Sequence, residues 1–188
     1  MSDLSDEELM AMFREERTRH YAFDLLMRQY QRRLYAFVRR MVTDHDEAQD
    51  VLQDSFVKVW HNLDQFRGGS ALFSWLYRIT HNQCLDHLRR RKRNVFVSNE
   101  SVMNSLTSNM DATEHFNGDH IQRQLQRALM TLPDKQRAVF TMKYFEELKY
   151  EEISTITGTS VGALKSSYHI AVKKIEAWLQ RDQTKSAL

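Results

Sequence analysis

Residues 64–93 read DQFRGGSALFSWLYRITHNQCLDHLRRRKR. The segment holds the aromatics Phe66, Phe73, Trp75 and Tyr77, the loop Arg67-Gly68-Gly69-Ser70, and an unbroken cationic run from Arg89 to Arg93. On a helix, Trp75, Arg78, Asn82 and Arg89 follow at steps of three, four and seven residues, which sets an indole, two guanidiniums and an amide along one face. Such a face stacks on bases, hydrogen-bonds their edges and neutralises phosphate, as single-stranded nucleic acid requires. The same pattern also fits an amphipathic helix with a core Trp and a solvated basic end, and the choice between the two rests on the rest of the chain.

The 188 residues are 41% hydrophobic and 11% aromatic, enough for one large or two small cored domains. One Pro, five Gly and no alternating β-branched run predict an all-α protein. The formal charge is only +2, but it is unevenly spread. Residues 78–93 carry Arg78 and the Arg89–Arg93 run against Asp86 alone, whereas 94–118 carry three acids and no base. That clustering is the electrostatic footprint of a polyanion-binding surface. Cys84 is the only cysteine, so no intrachain disulfide forms and a reducing compartment is expected. The sequence shows neither a secretory leader nor an apolar run of bilayer length, so a cytoplasmic chain without membrane insertion is expected.

Periodicity divides the chain. Ser5-Asp6-Glu7-Glu8 is a helix-capping signature, and apolar residues recur at helical steps from Phe23 to Met41, which predicts one helical block over about Ser5–Met41. The next helix carries Val51, Leu52, Phe56, Val59 and Trp60 on its inner side, and the basic helix ends near Arg93. Residues 94–118, rich in Ser, Asn and Thr, have a linker composition. The expected domains are therefore 1–93 and 119–188. In the second, Leu132-Pro133-Asp134 starts a helix. ELKYEEISTITGTSVGALKSSYHIAVKKI (147–175) then reads as two helices about a tight turn, with Gly158 at the turn and Ser160 as cap. Val161, Leu164, Tyr168, Ala171 and Ile175 form the inner stripe, leaving Lys165, Ser166, His169 and Lys173 outside. This is a helix-turn-helix pattern, whose second helix reaches base edges and phosphates in a major groove.

Three stretches in this order, DEAQDVLQDSFVKVW (46–60), LDQFRGGSALFSWLYRITHNQCLDHLRRRKR (63–93) and LPDKQRAVFTMKYFEELKYEEISTITGTSVGALKS (132–166), resemble the extracytoplasmic-function class of bacterial sigma factors. The resemblance implies two helical domains, a region 2 bundle and a region 4 helix-turn-helix, joined by a polar linker. It implies a factor that binds core RNA polymerase and directs initiation at −35 and −10 promoter elements. Asp50, Gln53 and Asp54 match positions that dock on the β′ clamp helices, and the β subunit is a further expected contact. Helical spacing independently puts these three on one face. Phe66 and Asn82 match positions that serve −10 recognition, with Arg67, Gly68, Gly69 and Ser70 as the loop that receives a flipped base, and Trp75, Arg78, Arg89 and Arg90 complete the expected −10 surface. Trp75 reads equally as core and as support for the melted junction. Lys165, Ser166, His169 and Lys173 are the expected −35 contacts. Where family members often carry arginines, this chain has Ser167 and Ile170, which leaves −35 readout to Lys165, Ser166 and His169. An anti-sigma factor, membrane-anchored in many relatives, is an implied partner.

Two other classes compete. A helix-turn-helix regulator independent of polymerase needs neither the Asp50/Gln53/Asp54 face nor the aromatic loop-helix. An enzyme needs a constellation that is not legible: the eight histidines show no metal-ligand spacing, and no nucleophile-base set or phosphate-cradling loop appears. No catalytic residue, metal or cofactor is expected.

Overall fold

The computed structural model describes residues 4–68, 71–97 and 120–186. Among them the regular structure is helical, in two groups: α1 (Asp6–Arg14), α2 (Arg19–Met41), α3 (His45–Asn62), a 3-10 turn (Leu63–Gln65) and α4 (Leu72–Val97), then α5 (His120–Met130), α6 (Asp134–Tyr144), α7 (Tyr150–Thr157) and α8 (Val161–Ser186). The all-α, two-domain expectation holds. The expected linker lies outside the described residues from 98 onward, and α4 runs on to Val97 rather than ending near Arg93.

The first block is two helices, not one. The Ser5–Glu8 capping box forms as expected, with Glu8 N–H donating to Ser5 Oγ at 3.2 Å and Ser5 N–H to Glu8 Oε2 at 2.8 Å. These bonds hold the Glu8 carboxyl below its ordinary range. At Glu15 the backbone turns extended, and the Thr18 hydroxyl donates to the Met12 carbonyl at 2.6 Å, satisfying a group the helix end would leave open. The break turns α1 back on α2. Phe13, almost fully buried, then meets Trp60 edge-on at 5.6 Å, and Phe23 meets the same indole at 5.0 Å.

The α2–α4 bundle follows its sequence stripes. Leu26, Leu34, Phe37 and Met41 of α2 pack on Val51 and Val59 of α3 and on Leu72, Leu76, Tyr77 and Leu88 of α4. Asp44 caps α3, accepting from Glu47 N–H at 2.9 Å. Cys84 is fully buried, and desolvation raises its thiol pKa well above the ordinary value.

The two groups share a core. Val139, Met142, Leu148, Ile153, Ile156 and Leu164 of the second join the hydrophobic cluster of the first. Polar contacts seal the seam: buried Arg137 donates to the Met41 carbonyl at 2.7 Å, and Glu146 pairs with Arg33 at 3.5 Å and Arg40 at 3.4 Å. Lys92 pairs with Asp134 at 2.6 Å.

Candidate nucleic-acid interface

α3 presents its docking candidates outward. Asp50, Gln53 and Asp54 are exposed, while Val51, Ser55 and Val59 face the core. Val57, 50% exposed, continues the same face at the next helical step. The sequence reading did not single it out, although a valine off the buried stripe was the signal. Beside this face a groove of about 570 Å³ runs between α2 and α3, lined by residues that include Met27, Leu52, Gln53 and Phe56.

The Phe66 loop and α4 form a second surface. Phe66 is 8% exposed, and its ring lies 5.7 Å from half-buried Trp75, so most of the Phe66 side chain is covered in this arrangement. Arg67 is exposed, and Gly68 takes φ +75°, a conformation that glycine adopts without Cβ strain. Gly69 and Ser70 lie outside the described residues. A cavity of about 430 Å³ opens between this loop and α1, lined by Asp6, Glu7, Met10 and Arg14 on one side and Phe66, Arg67, Gly68, Ala71 and Leu72 on the other. Asn82 is exposed but lies ten residues along α4 from Leu72, roughly 15 Å at helical rise. Arg78 is committed elsewhere: its guanidinium donates from Nε to the Thr155 carbonyl on α7 at 3.1 Å. Arg89 pairs with Asp86 at 2.9 Å, and Arg90 Nε reaches the Asp86 carbonyl at 3.4 Å. Both remain exposed.

The third surface is the turn between α7 and α8. Gly158 caps α7 at φ +68°, with its N–H bonded to the Ser154 carbonyl at 2.8 Å. Ser160 Oγ accepts from Ala163 N–H at 3.4 Å. Leu164, Ala171 and Ile175 are buried, with Val161 and Tyr168 half-buried, as the stripe requires. Lys165, Ser166, His169 and Lys173 all face outward. Ser166 Oγ donates to the Gly162 carbonyl at 3.2 Å, which leaves its lone pairs to accept from an N–H on a base edge. Ile170, 43% exposed, gives this cationic face an apolar spot.

Comparison with known proteins covers both helical groups. Residues 26–94 match the Sigma-70 region 2 family and residues 122–175 match Sigma-70, region 4. The RNA polymerase sigma-H factor of Pseudomonas aeruginosa is 33% identical, over 93% of this chain and 94% of its own length. The chain belongs to the sigma-70 family, in its extracytoplasmic-function class. The sigma-E factor of Haemophilus influenzae, itself of that class, is 30% identical over 85% of this chain and 88% of its own length.

The sigma factor is thus a factor of promoter-specific transcription initiation by RNA polymerase. Its fold is that of RpoE from Bartonella quintana, solved with the anti-sigma factor NepR, at a TM-score of 0.66 and 23% identity over 84% of this chain and 96% of that one. CnrH, solved with the cytosolic domain of CnrY, aligns at a TM-score of 0.64 and 23% identity over 94% of this chain and 98% of that one. The region 2 match contains α3, the loop and nearly all of α4, and the region 4 match contains the helix-turn-helix. Among the described residues no helix is long and apolar enough to cross a membrane.

Proposed function

We propose that this sigma factor docks on core polymerase through the Asp50/Gln53/Asp54 face of α3, reads the −10 element with the Phe66 loop and α4, and reads −35 duplex with α8. The domains that do so are residues 1–93 and 119–188, with 94–118 between them. The observation that carries the reading is the outward, one-sided display of three chemically distinct sets. An acidic-polar face on α3, an aromatic and cationic loop-helix, and a cationic face on α8 occupy separate elements. Each suits its partner. Acidic and amide side chains around Val57 fit a basic helical docking surface. A loop with an aromatic and an exposed guanidinium suits an unstacked base and its phosphate. Lysines with a histidine on the second helix of a helix-turn-helix suit a major groove. Melting is assisted by holding the −10 strand once open, and phosphodiester synthesis belongs to the polymerase. An anti-sigma factor is the expected regulator, in keeping with the complexes in which the structural relatives were solved.

Run-off transcription by core polymerase on a promoter library tests the reading. Specific transcripts are expected only with the factor added, and promoter binding only with core present. Tight specific binding by the free chain, with no gain from polymerase, would instead make it a self-sufficient DNA-binding regulator.

A further inference from the structure

The outward face of α8 is built from two parallel rows. Lys165, His169 and Lys173 follow at steps of four residues, and so do Gly162, Ser166 and Ile170, so each set runs along the helix as one row. All of them are exposed. The first row carries two ammonium groups and an imidazole. The second carries no charge and grows from no side chain, through a hydroxyl, to a branched hydrocarbon. A Cβ at Gly162 would meet nothing within 4 Å, so the helix surface at the head of this row is open. Such a surface lets the backbone come close to a groove floor. Ile170 is 43% exposed and joins neither hydrophobic cluster of the described residues, whose inner stripe Leu164, Ala171 and Ile175 fill without it. A single exposed isoleucine is ordinary on a protein surface. This one stands one turn past Ser166 and one turn before Lys173, inside the face that enters the −35 duplex in the reading above.

We propose that Ile170 is a specificity-determining residue for the −35 duplex, packing on the C5 methyl group of a thymine in the major groove. The proposal rests on the −35 reading of α8 and deepens it. In the major groove thymine displays a methyl group that the other three bases lack. An isoleucine side chain neither donates nor accepts, so against guanine O6, cytosine N4 or adenine N6 it strips water and returns no hydrogen bond. Against the thymine methyl it buries hydrocarbon on hydrocarbon. An arginine in its place would instead pair with guanine O6 and N7. Ser166, one turn earlier in the row, is complementary. Its hydroxyl hydrogen is spent on the Gly162 carbonyl at 3.2 Å, so it accepts from an amine, and adenine, the partner of thymine, offers N6. The uncharged row thus suits the edges of thymine and adenine, while the cationic row beside it suits phosphate.

The test uses holoenzyme reconstituted with the full chain, as wild type, Ile170→Ala, Ile170→Val and the double variant Lys165→Ala with His169→Ala. A promoter selected from a random library by the wild-type holoenzyme supplies the −35 element. Each of its thymines is replaced in turn by deoxyuridine, which lacks only the methyl group, and promoter affinity is measured. Wild type should bind about fourfold more weakly when one particular thymine is replaced, the factor for one buried methyl-sized group. Ile170→Ala should bind the thymine promoter about as weakly as wild type binds its deoxyuridine counterpart, and should no longer distinguish the two. Ile170→Val, which keeps a branched hydrocarbon, should still distinguish them. If the double variant loses the −35 element while no deoxyuridine separates wild type from Ile170→Ala, the −35 reading stands and the role of Ile170 is overturned. Equal weakening by Ile170→Ala on thymine and deoxyuridine promoters also overturns it, since the side chain then serves the helix or the polymerase. If neither the double variant nor Ile170→Ala alters binding to the −35 element, both readings fall.

Discussion

Arg78 of α4 donates to the backbone carbonyl of Thr155 on α7, 3.1 Å from Nε, so a side chain of the proposed −10 surface is occupied by the second domain. Glu146, whose side chain is only 8% exposed, holds the same seam against Arg33 and Arg40. The α3 docking face and the α8 cationic face both stay open in this closed arrangement. On the proposed reading, polymerase and −35 duplex engage before the domains part, whereas full use of Arg78 requires separation.

Glu146→Arg should part them. It replaces two attractive pairs with like-charge contacts at a mostly buried site, and breaking such a pair costs up to about 3 kcal/mol. Small-angle scattering of the free chain should show a larger radius of gyration. Binding to a single-stranded −10 oligonucleotide should rise several-fold as Arg78 is released. A variant that stays as compact as wild type would show that the apolar seam, not Glu146, holds the domains together.

Reversal of the α3 face by Asp50→Lys with Asp54→Lys should abolish co-purification with core polymerase. Both side chains are exposed, so helicity and melting temperature should change little. Val57→Asp should weaken the same complex by removing its apolar centre. Undiminished co-purification by the double variant would place the docking surface elsewhere.

On α8, Lys165→Ala with His169→Ala should weaken binding to −35 duplex across sequences. If Lys165 contacts phosphate, the slope of log affinity against log salt falls by about one. Titrations at several salt concentrations separate this from a lost base contact, which shows as relaxed specificity at constant slope.

Much of this was legible in the sequence where one helix decides the outcome. The capping box at Ser5 and Glu8, the left-handed Gly158 and the outward Lys165 and His169 follow from spacing and residue type. What depends on a second element was not legible. Nothing in LPDKQRAVF marks Arg137 as buried, yet it is 4% exposed, its terminal nitrogens donating to the carbonyls of Met41 and Leu132 while Nε has no partner among the described residues. Periodicity gave Trp75 two roles because half-burial against Phe66 serves both. The break at Glu15–Thr18 has no Gly or Pro to announce it. It accompanies the packing of Phe13 edge-on against Trp60, a contact with an element some forty-five residues away. The seam between the domains joins residues about a hundred positions apart, such as Arg40 and Glu146, and no local pattern reports such a pairing.

Acid sensitivity should trace to His81. The ring is 5% exposed and its Nδ1 has no hydrogen-bond partner among the described residues. Burial pushes its pKa down to about 4; the cations Arg89 and Lys135 add to the shift, and Asn82 opposes it. The unfolded chain takes up this proton near pH 6.5, its ordinary value, and the folded chain only near 4. Between those values the unfolded state binds more protons, so stability rises with pH through the window and is lost as pH falls. At about 1.4 kcal/mol per unit, the group removes up to about 3 kcal/mol on full acidification. Urea unfolding of wild type and His81→Gln at pH 7, 6 and 5 isolates it, because the other titrating groups are common to both. His81→Gln should lose less stability between pH 7 and 5 than wild type. Parallel losses would mean that the imidazole finds a proton-accepting partner in the folded chain and that its burial does not set the acid limit.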